Sequence, residues 1–168
     1  MAHIVGYMDI LSHYQWGTFE PFSFMSISST AQLGEIAKFG AIAGVFNLVV
    51  IQVILGLLMT RRVIKLGGLS MFMSPHTPFE ALVKAPLLEE TVYRLLGMIA
   101  VVAFTGSLGW AILLTSVAFG LGHLYQGPLA ALASVVAGAV FAVTFLAGGL
   151  VAAVVAHSVV NLIVFLSY

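Results

Sequence analysis

Apolar runs of membrane-spanning length alternate with short polar or glycine-containing breaks along most of the chain. A hydrocarbon core about 30 Å thick needs roughly 20 apolar residues in helical form, and this sets the length expected of each span. Breaks occur at residues 61–77, at "GSLG" (106–109), at "GP" (127–128) and at "AGG" (147–149). The pattern predicts five spans, at about residues 35–60, 78–105, 107–126, 129–146 and 150–166.

Composition supports a membrane location. Hydrophobic residues make up 61% of the 168 residues and charged residues only 7%, whereas a soluble domain carries roughly 25% charged residues. Too few polar side chains exist to cover a soluble surface, so the fold class is predicted as an all-α, polytopic helical membrane bundle in contact with the lipid bilayer. The formal net charge is zero and no basic stripe is present, so nucleic acid is not expected as a partner. Cysteine is absent, which excludes disulfides and thiolate chemistry.

The chain divides into two regions. Residues 1–34 are mixed and Ser/Thr-rich, and we expect them outside the bilayer core or along its interface, whereas residues 35–168 form one transmembrane helical domain. Four of the six basic residues fall in or beside the break between the first two spans: Arg61, Arg62, Lys65 and Lys84. By the positive-inside tendency this loop faces the cytoplasm, which places the C-terminus there too.

Three charged residues interrupt the second span, in "APLLEETVYRLLGM" (85–98). An ionisable residue inside a span costs at least about 2.5–3.5 kcal/mol, so each one needs a partner or a function. Glu90 and Arg94 have the i,i+4 spacing of an intrahelical ion pair. This pairing leaves Glu89 unexplained.

Further polar residues lie in later spans, where "FGLGH" ends in His123 and "HSVVN" begins with His157 and ends with Asn161. With a rise of about 1.5 Å per residue, Glu89 and His157 lie roughly 16 Å from the cytoplasmic end of their spans, Asn161 roughly 10 Å and His123 roughly 6 Å. All four therefore fall in the same half of the bilayer, which predicts one polar cluster open to the cytoplasmic side. A single intramembrane His or Asn is more often a helix–helix hydrogen-bonding group, but the four together favour a site.

Two chemistries fit this set of side chains. In the first, Glu89 is the general base that activates a water molecule, and a histidine binds the same water. His157 and Asn161 then donate hydrogen bonds to the oxyanion that develops. No metal is then required. In the second, Glu89, His123 and His157 form a three-ligand set for one divalent metal such as zinc, which leaves a position open for water.

The three motifs resemble a known family. "EETVYR" (89–94), "FGLGH" (119–123) and "HSVVN" (157–161) are similar, in this order, to the EExxxR, FxxxH and HxxxN motifs of the CPBP family of CAAX prenyl proteases and bacteriocin-processing enzymes. The resemblance covers about residues 78–166. It implies an intramembrane endopeptidase, of metallo or glutamate type, that hydrolyses peptide bonds of membrane-associated substrates.

The resemblance also implies roles by position. Glu89 would activate water with His123, whereas His157 and Asn161 would stabilise the oxyanion and Glu90 and Arg94 would order the site. With one span before the motif-bearing core, the chain looks more like small bacterial members than like larger CAAX-processing ones. A bacterial inner-membrane location is therefore expected.

Two other function classes compete with the peptidase. One is a non-catalytic subunit or scaffold of a larger membrane complex, which small-residue faces such as Gly40–Gly44 would suit. The other is haem or ion binding by His123 and His157, which is less favoured because the two lie at different estimated depths. His3, His13 and His76 fall in segments predicted to lie outside the membrane and are not assigned a role.

Overall fold

The computed structural model describes residues 29–58 and 77–166, and these residues form helices and short turns without strands. Helix α1 is Thr30–Leu58, and α2 runs over residues 78–105 with two π-helical stretches, Glu80–Lys84 and Thr91–Met98. Helix α3 is Leu108–Gly122 and is followed by a 3₁₀ turn at Leu124–Gln126. The last helical stretch, Pro128–Leu166, is broken at Gly149 into α4 (residues 128–148) and α5 (residues 150–166).

The five predicted spans correspond to these five helices. Helix α1 begins at Thr30, earlier than the predicted start near residue 35, and α3 ends at Gly122, before the predicted end near residue 126. The basic loop residues Arg61, Arg62 and Lys65 lie outside the described residues, as do His3, His13 and His76. The orientation in the membrane therefore stays a prediction.

Local sequence signals set the ends of α2. Thr77 and Glu80 form a reciprocal capping box, in which Glu80 N–H donates to Thr77 Oγ1 at 3.3 Å and Thr77 N–H donates to Glu80 Oε2 at 3.1 Å. Pro78 occupies the first helical position, where a missing N–H has no consequence. At the other end Gly106 closes the helix with φ +67°, and Ser107 caps α3 by accepting from Trp110 N–H at 3.3 Å.

Two glycines with positive φ make the later breaks. Gly127 (φ +110°) precedes Pro128, so the chain leaves the 3₁₀ turn and re-enters a helix at a residue whose φ is already helical. Gly149 (φ +77°) separates α4 from α5. A side chain at either glycine would be strained, which explains why both breaks fall on glycine.

Neighbouring helices alternate in direction. Gly97 and Tyr93 of α2 face Thr115 and Gly122 of α3 in reversed order, which makes these helices antiparallel. Helix α1 runs parallel to α5, because Gly40 lies against Ala152 and Gly44 lies against Ala156. Spans one and five of an alternating five-span bundle must be parallel, so the packing agrees with the predicted span order.

Small residues permit the closest approaches between helices. A Cβ on Gly40 or Gly44 would lie 2.5 or 2.6 Å from a backbone carbonyl of α5. On α4, a Cβ on Gly138 would meet Ser116 Cα of α3 at 3.1 Å. Lipid provides no hydrophobic driving force for helix association, so the van der Waals contacts of such closely packed backbones stabilise the bundle instead.

The distribution of polarity is that of a protein in lipid. Large apolar side chains face outward, with Phe104 91% exposed and Ile42 70% exposed, while Asn47, Glu90 and Arg94 are fully buried. Two of the described helical segments are long and apolar enough to cross a membrane, Thr30–Val53 and Pro128–Leu166. Together with the composition, this arrangement identifies an integral membrane protein.

Replacing Gly44 by alanine should weaken the packing of α1 on α5. The new Cβ would lie 2.6 Å from Ala156 O, so the two backbones must separate. We expect a loss of about 1–3 kcal/mol in the free energy of unfolding, measured by titrating the protein in mixed micelles with a denaturing detergent.

The same substitution at Gly34 is the matched control, because no atom lies within 4 Å of a Cβ built there. On the same helix, Gly34→Ala should raise the free energy of unfolding by about 0.5–1 kcal/mol, because alanine lowers the conformational entropy of the unfolded chain. Equal effects at the two positions would contradict the packing described for α1.

Candidate active site

A buried stripe with a spacing of four residues runs along α2. Its members are at most 2% exposed: Pro86, Glu90, Arg94, Met98 and Val102. In a regular α-helix, each step of four residues rotates the side-chain direction by about 40° around the helix axis. Side chains at this spacing would therefore point toward lipid after a few turns. The π stretch Thr91–Met98 takes more residues per turn and cancels this drift. The π geometry therefore keeps the charged part of α2 facing the other helices.

Glu90 is fully buried and contacts two helices. Its Oε1 accepts a hydrogen bond of 2.8 Å from Nδ1 of His157 on α5, and its Oε2 lies 3.1 Å from Nε of Arg94. The Nε–H of Arg94 does not point at that oxygen, so this second contact is an ion pair rather than a well-aligned hydrogen bond. Glu90 therefore binds a cation on its own helix and an imidazole on α5 at once.

Arg94 is surrounded by aromatic rings. Its guanidinium carbon lies 4.9 Å from the ring centroid of Phe119, 5.9 Å from that of Tyr93 and 6.0 Å from that of Phe141. Neither Nη1 nor Nη2 has a hydrogen-bond partner within the described part of the chain. Cation–π attraction, worth about 2 kcal/mol when desolvated, and the ion pair with Glu90 are thus what stabilise this buried charge.

Both histidines are fixed by their Nδ1 atoms. His123 Nδ1 lies 2.8 Å from the carbonyl oxygen of Phe119, and His157 Nδ1 contacts the Glu90 carboxylate. A carbonyl or a carboxylate accepts only, so each Nδ1 carries the hydrogen. In the neutral ring, Nε2 is then left with a lone pair.

The two Nε2 atoms face one oxygen of Glu89. Glu89 Oε2 lies 3.8 Å from His157 Nε2 and 4.0 Å from His123 Nε2. This oxygen is buried and accepts no hydrogen bond from any residue of the described ranges, although the Glu89 side chain as a whole is 31% exposed. The structure thus brings together Glu89 of α2, His123 at the end of α3 and His157 of α5, around a gap too long for direct hydrogen bonds.

These three side chains do not fit a zinc ion as they are arranged. With metal–ligand bonds of about 2.0–2.1 Å, two ligands of a tetrahedral zinc lie only about 3.4 Å apart. Both carboxylate–imidazole distances are longer, at 3.8 and 4.0 Å. Among residues 29–58 and 77–166, no group of three His, Cys, Asp or Glu side chains is arranged to hold a metal ion.

A cavity of about 70 Å³ adjoins both histidines. A single water needs about 10–15 Å³ on this measure, so the cavity has room for several water molecules. Helices α1, α3, α4 and α5 all contribute to its wall, which is apolar except for His123, His157, Asn161 and Ser134. Leu48 and Ile51 of α1 close one side of it.

Asn161 lines the same cavity but has a partner on α2. Its Nδ2 donates a hydrogen bond of 2.8 Å to the carbonyl oxygen of Ala81. An amide nitrogen carries two hydrogens, so one remains for a further acceptor.

Two residues near the site were not singled out from the sequence. Phe141 stacks on the His157 ring with centroids 4.7 Å apart and an angle of 17°. Asn47 on α1 is fully buried and donates to Ala137 O at 3.3 Å, while its Oδ1 has no partner among the residues that the structure describes. An Asn inside the first apolar span was a visible signal, but nothing in the sequence indicates that Phe141 meets His157.

Comparison with known families identifies the family to which the chain belongs. The sequence model of the family described as "Type II CAAX prenyl endopeptidase Rce1-like" matches residues 79–163, half of the chain. The chain belongs to this family. The match confirms the family expected from the three motifs, and the Rce1-like region contains all six residues that those motifs singled out. No curated protein and no solved structure matches the chain.

Membership of the Rce1-like family defines the broad class of activity. At the level of the family this is a membrane protease, whose substrates are peptides or membrane proteins in a bilayer.

Arg94→Met should destabilise the protein strongly. The substitution keeps a long side chain but leaves the fully buried Glu90 carboxylate without its cation. Breaking a buried pair in this way costs about 3–5 kcal/mol. The free energy of unfolding in mixed micelles measures the loss.

Lys38→Met provides the matched comparison. Lys38 pairs with Glu35 at 2.6 Å, but both side chains are 72% exposed, and such surface pairs contribute about 0–1 kcal/mol. If the two variants lost the same stability, the Glu90–Arg94 pair would not be the structural centre of the site.

Proposed function

We propose that the protein is an intramembrane endopeptidase in which Glu89 activates a water molecule held between its carboxylate and the two histidines. One observation carries this proposal: Glu89 Oε2 is buried without a hydrogen-bond partner among the described residues, yet faces two imidazole nitrogens at 3.8 and 4.0 Å. Buried polar atoms of this kind are normally satisfied by protein or by ordered water.

The gap has the size that one water would fill. A water about 2.8 Å from Glu89 Oε2 and about 2.8 Å from an imidazole Nε2 spans about 4 Å when the two contacts make an angle near 90°. Each contact of Glu89 matches this span. Glu89 and His123 are both partly exposed, at 31% and 20%, so the position can be reached from outside the bundle.

The reaction follows from this placement. Glu89 takes a proton from the water as the water oxygen attacks the carbonyl carbon of a peptide bond, which gives a tetrahedral intermediate with a negative oxygen. When the intermediate collapses, the carbon–nitrogen bond breaks. Glu89 then returns the proton to the leaving nitrogen. His123, held by Phe119 O, keeps the attacking water in place through Nε2.

His157 is suited to stabilise the negative oxygen. Its Nδ1–H is bound to Glu90, which already neutralises Arg94, so the Glu89 carboxylate, 3.8 Å from Nε2, balances the charge of a doubly protonated ring. Nε2–H of that ring then donates to the developing oxyanion. Asn161 also lines this cavity, but its amide is bound to Ala81 O, so the proposed step relies on His157 alone.

The remaining parts of the proposal rest on the family and on the fold. Hydrolysis takes place within or beside the membrane, because the site lies between helices whose outer faces are apolar. Glu90 and Arg94 order the site through His157. The scaffold alternative predicts that this constellation is dispensable, and the following experiment separates the two.

Glu89→Gln should abolish cleavage without unfolding the protein. Glutamine keeps the volume but cannot accept the proton, so we expect the rate to fall by a factor of about 100 or more. The measurement compares wild type and variant in cells, and mass spectrometry follows which membrane-protein termini change. A defined set of termini that disappears in the variant would establish proteolysis and identify the substrates.

Glu35→Gln is the control, because Glu35 is an exposed carboxylate on α1 that pairs only with Lys38 in the described structure. It should retain the wild-type termini. Identical termini in wild type and Glu89→Gln, with unchanged copurifying partners, would refute the peptidase and favour the scaffold.

A further inference from the structure

One carbonyl near the start of α2, Ala81 O, lacks the two backbone donors that would follow it in the helix. In the π stretch Glu80–Lys84, Ala85 N–H donates to Glu80 O, five residues back. The next donor in this register would be residue 86, which is proline and has no N–H. Ala81 O therefore receives no hydrogen bond from the backbone of Ala85 or Pro86, although Ala81 is only 3% exposed.

Asn161 supplies the missing hydrogen. Its Nδ2 donates to Ala81 O at 2.8 Å, from a different helix and 80 residues away in sequence. A buried carbonyl without a donor is destabilising, and more so in lipid, where no bulk water can replace the bond. The hydrogen bond from Asn161 therefore satisfies the carbonyl that the π turn and Pro86 leave without a backbone donor.

This bond lies beside the contact that orders the site. Helix α2 is tied to α5 at two places, by Ala81 with Asn161 and by Glu90 with His157. On α5 the two ties are one turn apart, and on α2 they flank Glu89. Two ties fix both the separation and the rotation of α2 relative to α5, and hence the 3.8 Å between Glu89 Oε2 and His157 Nε2.

We infer that Asn161 is a positioning residue: it clamps α2 to α5 through Ala81 O, and it is needed there because Pro86 removes the backbone donor. The inference rests on the proposed function in so far as the positioned groups are Glu89 and His157. It differs from an oxyanion role, in which Asn161 would act on substrate and Pro86 would be irrelevant.

The test is a double-mutant cycle of wild type, Asn161→Leu, Pro86→Ala and the double variant. Leucine has the same branched arrangement of side-chain heavy atoms as asparagine but donates no hydrogen bond. Pro86→Ala restores a backbone N–H that is next in register for Ala81 O. Two quantities are measured for each protein. The first is the unfolding temperature in detergent micelles. The second is the amount of cleavage per folded molecule, followed through the termini that disappear in Glu89→Gln. Cleavage is followed at a temperature at which all four proteins are folded.

In the wild-type background, Asn161→Leu should lower the unfolding temperature and reduce cleavage about 10- to 100-fold, because a small displacement of catalytic groups has an effect of this size. In the Pro86→Ala background the same substitution should have a much smaller effect on both quantities. Coupling in cleavage between residues 86 and 161 is a result that general destabilisation does not produce, since every protein compared is folded.

Equal losses from Asn161→Leu in the two backgrounds would overturn the inference. A loss of cleavage that is equal in both, with no coupling in the unfolding temperature, would assign Asn161 to the oxyanion instead. If wild type and Glu89→Gln show the same termini, the proposed function fails. The coupling in the unfolding temperature still decides whether the clamp exists, so the two failures are distinguishable.

Discussion

The contact on which the rest of the site depends is that of the Glu90 carboxylate with Arg94 and His157. Both charged side chains are fully buried, and in a membrane protein such charges persist only when each is matched by a partner. Glu90 matches the arginine on its own helix and fixes the Nδ1 of an imidazole on α5. One carboxylate thereby neutralises a buried cation, joins two helices and directs the Nε2 of His157 toward Glu89.

A second constraint is the shape of α2. A helix that must present residues 86, 90, 94, 98 and 102 to the same neighbours cannot keep the regular α-helical turn, because a spacing of four drifts around the axis. The π stretches correct the drift, and each has a consequence for the site. The second keeps Arg94 against Phe119, while the first leaves Ala81 O to Asn161. Irregular backbone in this helix is thus linked to the placement of polar groups.

The aromatic residues connect these constraints. Phe119 touches Arg94, its carbonyl orients His123, and its ring meets His157 edge-on at 5.8 Å. Phe141 covers the other side of the same imidazole. Helix α1 lies outside the family match but completes the enclosure, since Leu48 and Ile51 line the cavity and Asn47 bonds to α4. The site is therefore a property of the whole bundle and not of the three motifs alone.

Sequence by itself determined the broad features. Apolar run lengths gave five helices, and the glycine and proline breaks marked their ends, because these signals are local and act through backbone conformation. The cost of intramembrane charge pointed to Glu89, Glu90 and Arg94, and motif order gave the family. Tertiary structure alone decided that Glu90 takes His157 as well as Arg94, that Asn161 bonds to Ala81, and that Phe141 stacks on His157. These contacts join residues up to 80 positions apart, and they depend on helix rotation and π geometry, which no short pattern of residue types encodes.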